Sequence, residues 1–310
     1  MRFRANVENV ATFYRIVQAI EKLQKRCIIR FTETDMHIIC NNDVNEGGIQ
    51  VWSQIKVPSL FTDYRIQSNA QNEITLTLSS EALLSALRSA SPSGSQGASS
   101  SSFASDAEVV MKLAKKNDQA VLNFEMAGTT RMGRRVRVAH DVRIEVLRPQ
   151  DVGKLREPMC PEPEVHILLP PLAKLRTVVE RLRPLAADVV AVRANASGCL
   201  QVSASTESAR VDVSWSGLTN PIMIRDGNSQ DPQASQNGND PDARDPTQKY
   251  GVLVSLRSFT KFLNSHVVST TTIACICQNH AMILYVYIGE VADAGGVLTF
   301  YIPAIIDDAL

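Results

Sequence analysis

One pattern recurs four times along the chain: a short strand, a helix of about three turns, then two strands around a tight turn. The first copy reads RFRANV, NVATFYRIVQAIEKLQ, CIIRF and MHIIC, turning at Thr34-Asp35. The second reads EITLTL, SEALLSALRSA, EVVMKLA and AVLNFEM, turning at Asn117-Asp118. The third reads EVHILLP, PLAKLRTVVERL, DVVAVRA and CLQVSAS, turning at Ser197-Gly198, and the fourth YGVLVS, LRSFTKFLNSH, TTIACIC and AMILYVYI, turning at Asn279-His280. From helix start to hairpin turn the separations are 26, 38, 26 and 23 residues; the long one contains a serine-rich stretch of fifteen residues at 91–105, without which it is 23. The strands are rich in Val, Ile and Thr, and the turns carry Asn, Asp or Gly, which tolerate left-handed backbone. Ser80 and Ser255 are placed to cap the second and fourth helices, and Pro171 to open the third. The expected class is α+β: two similar domains, each of two β-α-β-β units, with helices against antiparallel sheets.

The division falls at RPQDVGKLREPMCPEPEVHILLP, Arg148 to Pro170, which holds five prolines. Pro158, Pro161 and Pro163 each lack a backbone donor, so the segment is neither a helix nor a central strand. It reads as an extended connecting loop over 148–164 between domains at 1–147 and 165–310. Two polar inserts, 91–105 and 225–248, bury too little apolar surface to order themselves and read as surface loops.

Composition narrows the function. Hydrophobic residues make up 44% of the 310, enough for a real core. Six scattered cysteines, mostly in apolar runs, read as reduced thiols of an intracellular protein. The start MRFRANVENV lacks the apolar centre of a signal peptide, and runs such as AMILYVYI are too short to span a bilayer as helices, so no membrane association is expected. No P-loop, G-x-S-x-G or H-E-x-x-H motif is present, and the five histidines are dispersed. Cys275 and Cys277 share a strand face but have no second pair to complete a metal site, and NDPDARD lacks calcium-loop spacing. No enzyme activity, cofactor or metal is expected.

Charge is segregated instead. Lys plus Arg equals Asp plus Glu at 32 each, which excludes a uniformly basic surface but not a basic face. In the helix windows 10–26, 80–90, 171–183 and 255–267 there are eleven basic residues against three acids. The basic set is Arg15, Lys22, Lys25, Arg26, Arg88, Lys174, Arg176, Arg181, Arg183, Arg257 and Lys261. If all four helices line one side of a curved sheet, that side is cationic and suits a phosphate backbone without sequence readout. For a single helix, solvation of an exposed face is the better explanation of such a bias; four with the same sign are harder to dismiss. The second helix, with Arg88 alone, is the weakest member.

The start MRFRA, GGIQVW at 47–52, the strap LREPMCPEPEVHILLP running into KLRTVVERL, and FYIPA at 300–304 resemble the Hus family. That family supplies one subunit of the heterotrimeric DNA-damage checkpoint clamp, whose fold is that of the PCNA sliding clamp. The resemblance covers nearly the whole chain outside the two inserts. It implies a nuclear, non-catalytic subunit that joins two other clamp subunits in a ring around duplex DNA. A clamp loader would open that ring, and checkpoint and repair proteins would dock on it. The strap and the C-terminal segment would border the client groove, with Leu155, Arg156, Glu157, Pro158, Met159, Pro161, Pro163, Tyr301 and Pro303 as its residues. A homotrimeric replication clamp is the alternative within this class. A β-rich enzyme without a linear motif, or a scaffold with no role on DNA, is the alternative outside it.

Overall fold

The structure is a computed structural model and describes residues 1–41, 48–90, 108–129, 134–184, 188–207, 209–221, 245–269, 271–290 and 294–305. The insert 91–105 lies outside these residues, as does 225–248 up to residue 244.

The first quarter runs β1 (Arg2–Val7), α1 (Val10–Glu21), β2 (Arg26–Phe31), β3 (Asp35–Cys40), β4 (Gln50–Lys56), a one-turn helix α2 (Val57–Leu60) and β5 (Phe61–Gln67). The second runs β6 (Ile74–Ser79), α3 (Ser80–Ala90), β7 (Glu108–Lys116), β8 (Gln119–Thr129) and β9 (Arg135–Val146). The strap opens with one helical turn, α4 (Pro149–Val152). The third quarter runs β10 (Val165–Leu168), α5 (Leu172–Leu182), β11 (Val189–Ala194), β12 (Leu200–Ser205) and β13 (Arg210–Trp215). The fourth runs β14 (Tyr250–Ser255), α6 (Leu256–Leu263), a 3-10 turn (Asn264–Val267), β15 (Thr272–Cys277), β16 (Ala281–Ile288) and β17 (Gly296–Pro303).

Each unit is therefore longer than the sequence pattern implied: β-α-β-β-β rather than β-α-β-β, with α2 and β5 following in the first as well. The added strands β4, β9 and β17 follow a hairpin across longer links, whereas β13 follows β12 through a tight turn closed by Thr206 N–H to Ala209 O at 2.7 Å. The helix-free strap also needs correcting, because Pro149 sits at the first helical position, where proline is tolerated. Caps differ in detail as well. Ser255 caps α6 through Ser258 N–H at 3.4 Å. At α3 the capping side chain is Ser79, which accepts from Ala82 N–H at 3.3 Å, while Ser80 is buried. Pro171 occupies the cap position of α5 rather than its first turn. The hairpin turns use left-handed backbone at Asn117, Asp118, Gly198 and Asn279.

Strand order is β10-β15-β16-β17-β4-β3-β2-β6-β9-β8-β7-β1-β5 in one sheet and β13-β12-β11-β14 in the other. The added strands decide this topology. β17 pairs antiparallel with β4 from Gly296↔Ile55 to Tyr301↔Gln50, fusing the first and last quarters into one sheet. Among the described residues β13 pairs with β12 alone and is an edge. β9 pairs with β8 over Arg135–Arg143 but with β6 only over Ile144–Val146, so its Arg135–Arg143 stretch has one open side among the described residues.

Alternation along the strands puts one face of each sheet against the helices: Cys27, Ile29 and Phe31 of β2, Leu298, Phe300 and Ile302 of β17, and Val190, Val192 and Ala194 of β11 all join one continuous core. α1 packs on α3 and α5 on α6, and the 3-10 turn after α6 touches both α1 and α5. The four helices thus form one layer across the two sheets. Among the described residues no helix is long and apolar enough to cross a membrane.

Candidate nucleic-acid interface and the strap groove

α5 buries Leu172, Leu175, Val179 and Leu182, which leaves Lys174 and Arg181, seven residues apart, exposed on the solvent side of the helix layer. α6 buries Leu256, Phe259, Phe262 and Leu263 and exposes Arg257, with Lys261 half-buried one turn on. α3 exposes Arg88. α1 exposes Arg15, whose guanidinium folds back to donate to Ala11 O at 3.3 Å. Arg176 is half-buried and spans one turn to Glu180 at 2.8 Å, which cancels its charge locally.

The remaining four basic residues lie outside the helices, because α1 ends at Glu21 and α5 at Leu182. Lys22 and Arg183 are the C-cap residues, where a cation also suits the helix dipole. Lys22 bonds to Glu21 at 3.0 Å. Lys25 is exposed in the link to β2. Arg26 corrects the sequence reading. It opens β2 in register with Ile28 and Arg30, on the face opposite Cys27, Ile29 and Phe31, and pairs across the sheet with Glu145 of β9 at 3.1 Å. It belongs to the outer side of the sheet, away from the helices. Within the helix bounds the tally is seven basic residues, from Arg15 to Lys261, against Glu21, Glu81 and Glu180. The cationic excess is half of what the wider windows held.

The strap lies on the other side of the protein, over the outer face of β15, β16 and β17. Tyr301 and Pro303 share that face of β17, since Phe300 and Ile302 point to the core. Tyr301 donates its hydroxyl to Glu157 Oε1 at 2.7 Å. Burial, together with that bond to a carboxylate, pushes the Tyr301 phenol well above its usual range. Further along, Cys277 Sγ donates to Pro161 O at 3.4 Å, and Glu164 N–H to Ile276 O at 3.0 Å. Leu155 turns back through its N–H to Val152 O at 3.0 Å, and Arg156 is exposed. Pro158 and Pro163 are half-buried, while Met159 is 94% exposed. The structure thus brings Glu157 and Pro161 onto the sheet beside Tyr301, and leaves Met159 projecting.

The sequence reading missed what lies beneath. Ile273, Cys275, Cys277 and Ile283 form a small apolar cluster with Tyr285, Tyr287 and Tyr301, and Cys160 of the strap packs on it. The signal was the period-two spacing of Tyr285 and Tyr287, hidden in the apolar run of β16. Burial pushes the Cys275 and Cys277 thiols up to about 12. A cavity of about 600 Å³ beside Leu147, Pro149 and Val152 was also not foreseen, because the turn between β5 and β6 supplies its other wall.

Four quarters built on β-α-β-β-β, one helical layer, and sheets on the far side define a sliding-clamp fold. The solved proliferating cellular nuclear antigen of Entamoeba histolytica matches it with a TM-score of 0.68, over 98% of this chain and 99% of that one, at 13% identity. Within that fold the chain belongs to the Hus1-like protein family, whose model matches residues 1–306. It is 34% identical to the checkpoint protein hus1 of Schizosaccharomyces pombe, covering 99% of this chain and all of that one. It is 27% identical to the checkpoint protein HUS1 of Homo sapiens, covering 98% of this chain and all of that one.

Proposed function

We infer that this chain is a non-catalytic subunit of a heterotrimeric ring that encircles duplex DNA in the nucleus and serves damage checkpoint signalling and repair. The observation that carries the reading is the fate of the four added strands. β4 and β17 close on each other within the chain, while β9 and β13 hold the equivalent places in the second and third quarters and stay open. An open strand pairs with another strand or aggregates. β5, β10 and β14 also end their sheets, but β9 and β13 are the open pair among the equivalent strands, and joining β9 of one chain to β13 of the next gives a head-to-tail assembly, which closes into a ring when the rotation permits. In this reading the units 1–147 and 165–310 are the two domains, and 148–164 is the loop between them. The helix layer faces the DNA through Lys174, Arg181, Arg257 and Arg88, helped by Arg15, Lys22, Lys25, Arg183 and Lys261. Arg176 is the weakest contributor, since Glu180 holds it. A loader opens the ring, and client proteins dock along Leu155–Pro163, Tyr301 and Pro303. The family membership and the relatives' checkpoint names support a heterotrimer over a replication clamp of identical subunits.

Light scattering tests the assembly. The chain alone should be a monomer near 34.0 kDa, and become a 1:1:1 trimer only with two different clamp subunits. A homotrimer, or indifference to both partners, overturns the reading. In the assembled ring, the triple change Lys174→Gln, Arg181→Gln, Arg257→Gln should leave the mass unchanged. It should also flatten the salt dependence of DNA binding by up to about 0.9 in log–log slope per phosphate contact removed.

A further inference from the structure

We propose that the outer face of the sheet β13-β12-β11-β14 is a docking site for a peptide that presents a carboxylate beside an aliphatic side chain. The site is separate from the strap groove: none of its lining residues lies in 148–164. It is a cavity of about 390 Å³ on the side of the sheet away from the helices. One end is apolar, made by Val189, Ala191, Leu253 and Ile305; the other is polar, made by Arg193, Arg210, Ser203 and Ser205.

The feature that distinguishes this face from an ordinary solvated sheet is Arg193. Its Nη1 donates to Ser203 Oγ at 3.4 Å, and no carboxylate among the described residues forms an ion pair with it. The arginine also has a built seat. It lies opposite Gly251 in the β11–β14 ladder, and a Cβ on residue 251 would stand 2.7 Å from the Arg193 Cγ. Glycine at that position lets the stem lie flat across β14, and it fixes where the guanidinium can reach. Beside it the apolar end is left uncovered among the described residues. Ile305 is 37% exposed, although its backbone is held in place by its N–H to Leu253 O at 2.7 Å.

Charge decides the occupant. Arg210 is already engaged by Asp212 at 3.0 Å, and Asp212 also accepts from Gln201 at 3.1 Å. Lys249 is bonded to Gln201 at 2.9 Å and does not line the cavity. The open cationic capacity is therefore that of Arg193, with one carboxylate close by. A monoanionic carboxylate matches a single planar fork and can take both of its N–H groups. A dianionic phosphate would be repelled more strongly by Asp212 and would find, among the described lining residues, one arginine without an ion pair.

The test is an NMR titration of the isotope-labelled full chain with three capped pentapeptides, Ala-Leu-Glu-Ala-Ala, its Gln analogue, and an analogue with phosphoserine in place of the Glu. The Glu peptide should shift the amides of Ala191, Arg193, Ser203 and Leu253, with binding that weakens from about 50 mM to about 300 mM salt. The Gln peptide should bind at least about fivefold more weakly, the loss expected for one charge-assisted pair. Arg193→Gln should lose the same factor, and Gly251→Ala, which keeps the charge but displaces the stem, should lose part of it. Absence of shifts overturns the proposal, as does equal binding of the Gln peptide or unchanged binding to Arg193→Gln. Tighter binding of the phosphoserine peptide overturns the carboxylate assignment. The peptide comparison uses the unaltered chain, so it decides the matter independently of how either variant folds.

Discussion

Adding one methyl group at Gly296 tests whether the β4–β17 seam holds the two halves of the chain together. Gly296 pairs with Ile55 at the end of that seam. A Cβ there would lie 2.6 Å from Gln54 O and 2.7 Å from Ile55 Cα, both backbone atoms that no rotamer change can move. Ordinary contact begins near 3.4 Å, so the strands must part locally by about 0.8 Å, against a normal separation of about 4.8 Å. Such overpacking costs about 1–3 kcal/mol. The neighbouring bond, Lys56 N–H to Gly295 O at 2.8 Å, would loosen with it, adding about 1 kcal/mol. Gly296→Ala should therefore destabilise the protein by roughly 2–4 kcal/mol. Urea unfolding reads the total, and native-state hydrogen exchange at Ile55, Val297 and Leu298 reads the seam itself. Gly153→Ala is the control. Its Cβ would meet only Pro149 O at 3.6 Å and Gln150 O at 3.7 Å, which is ordinary contact. If Gly153→Ala costs as much as Gly296→Ala, or if exchange at β4 and β17 does not change, the steric reasoning is wrong.

Three further outcomes are expected. Tyr301→Phe and Glu157→Gln should each loosen the strap and couple by about 0.5–1 kcal/mol in a double-mutant cycle, the low end for a bond to an exposed carboxylate; strict additivity would show that the two groups do not meet. His166, whose Nδ1 lies 3.0 Å from Cys275 Sγ, has its pKa lowered by burial, with the charge of Glu162 opposing. The unfolded chain then binds a proton more readily than the folded one, so this contribution to stability is complete above the unfolded pKa near 6.5 and falls as pH drops below it; urea midpoints of wild type and His166→Asn should converge as pH falls from about 8 to about 5, and parallel curves would refute the assignment. Burial pushes Cys27 up to about 11 and Cys275 up to about 12, so a maleimide at neutral pH should label half-exposed Cys160 well before either of them, and equal rates would contradict the packing under the strap.

The parts of the fold set by local chemistry were legible in the sequence. Left-handed Asn117, Asp118, Gly198 and Asn279 mark hairpins because few residues accept that backbone, and the α3 segment was read to its residue bounds because its apolar stripe and its flanks agree. β4, β9, β13 and β17 were not assigned as units of the repeat. No tight turn announces β4, β9 or β17, and alternation such as RVDVSW in β13, which does follow a tight turn, says only that a strand is half-buried, not which strand it meets. The pairing of Gly296 with Ile55 joins opposite ends of the chain, and no local signal can encode it. The same limit explains Arg26. Five residues past the end of α1 it still follows helical spacing, but strand alternation rather than helix periodicity decides its face. Glu157 and Tyr301 could both be named as strap-groove residues, but their bond depends on where the strap comes to rest, which the prolines leave open.

The covalent link between the halves has a kinetic meaning of its own. When the β4–β17 seam opens, the strap keeps both strands tethered, so they find each other again at an effective concentration in the millimolar range. The edges of β9 and β13 have no such leash. In the ring we infer, a break between chains must be repaired by diffusion, or by a protein that holds the ends, while a break within the chain repairs itself. Seams built from the same ladder would then differ in lifetime once parted, and a loader that has to admit DNA would gain nothing by prying at the tethered one.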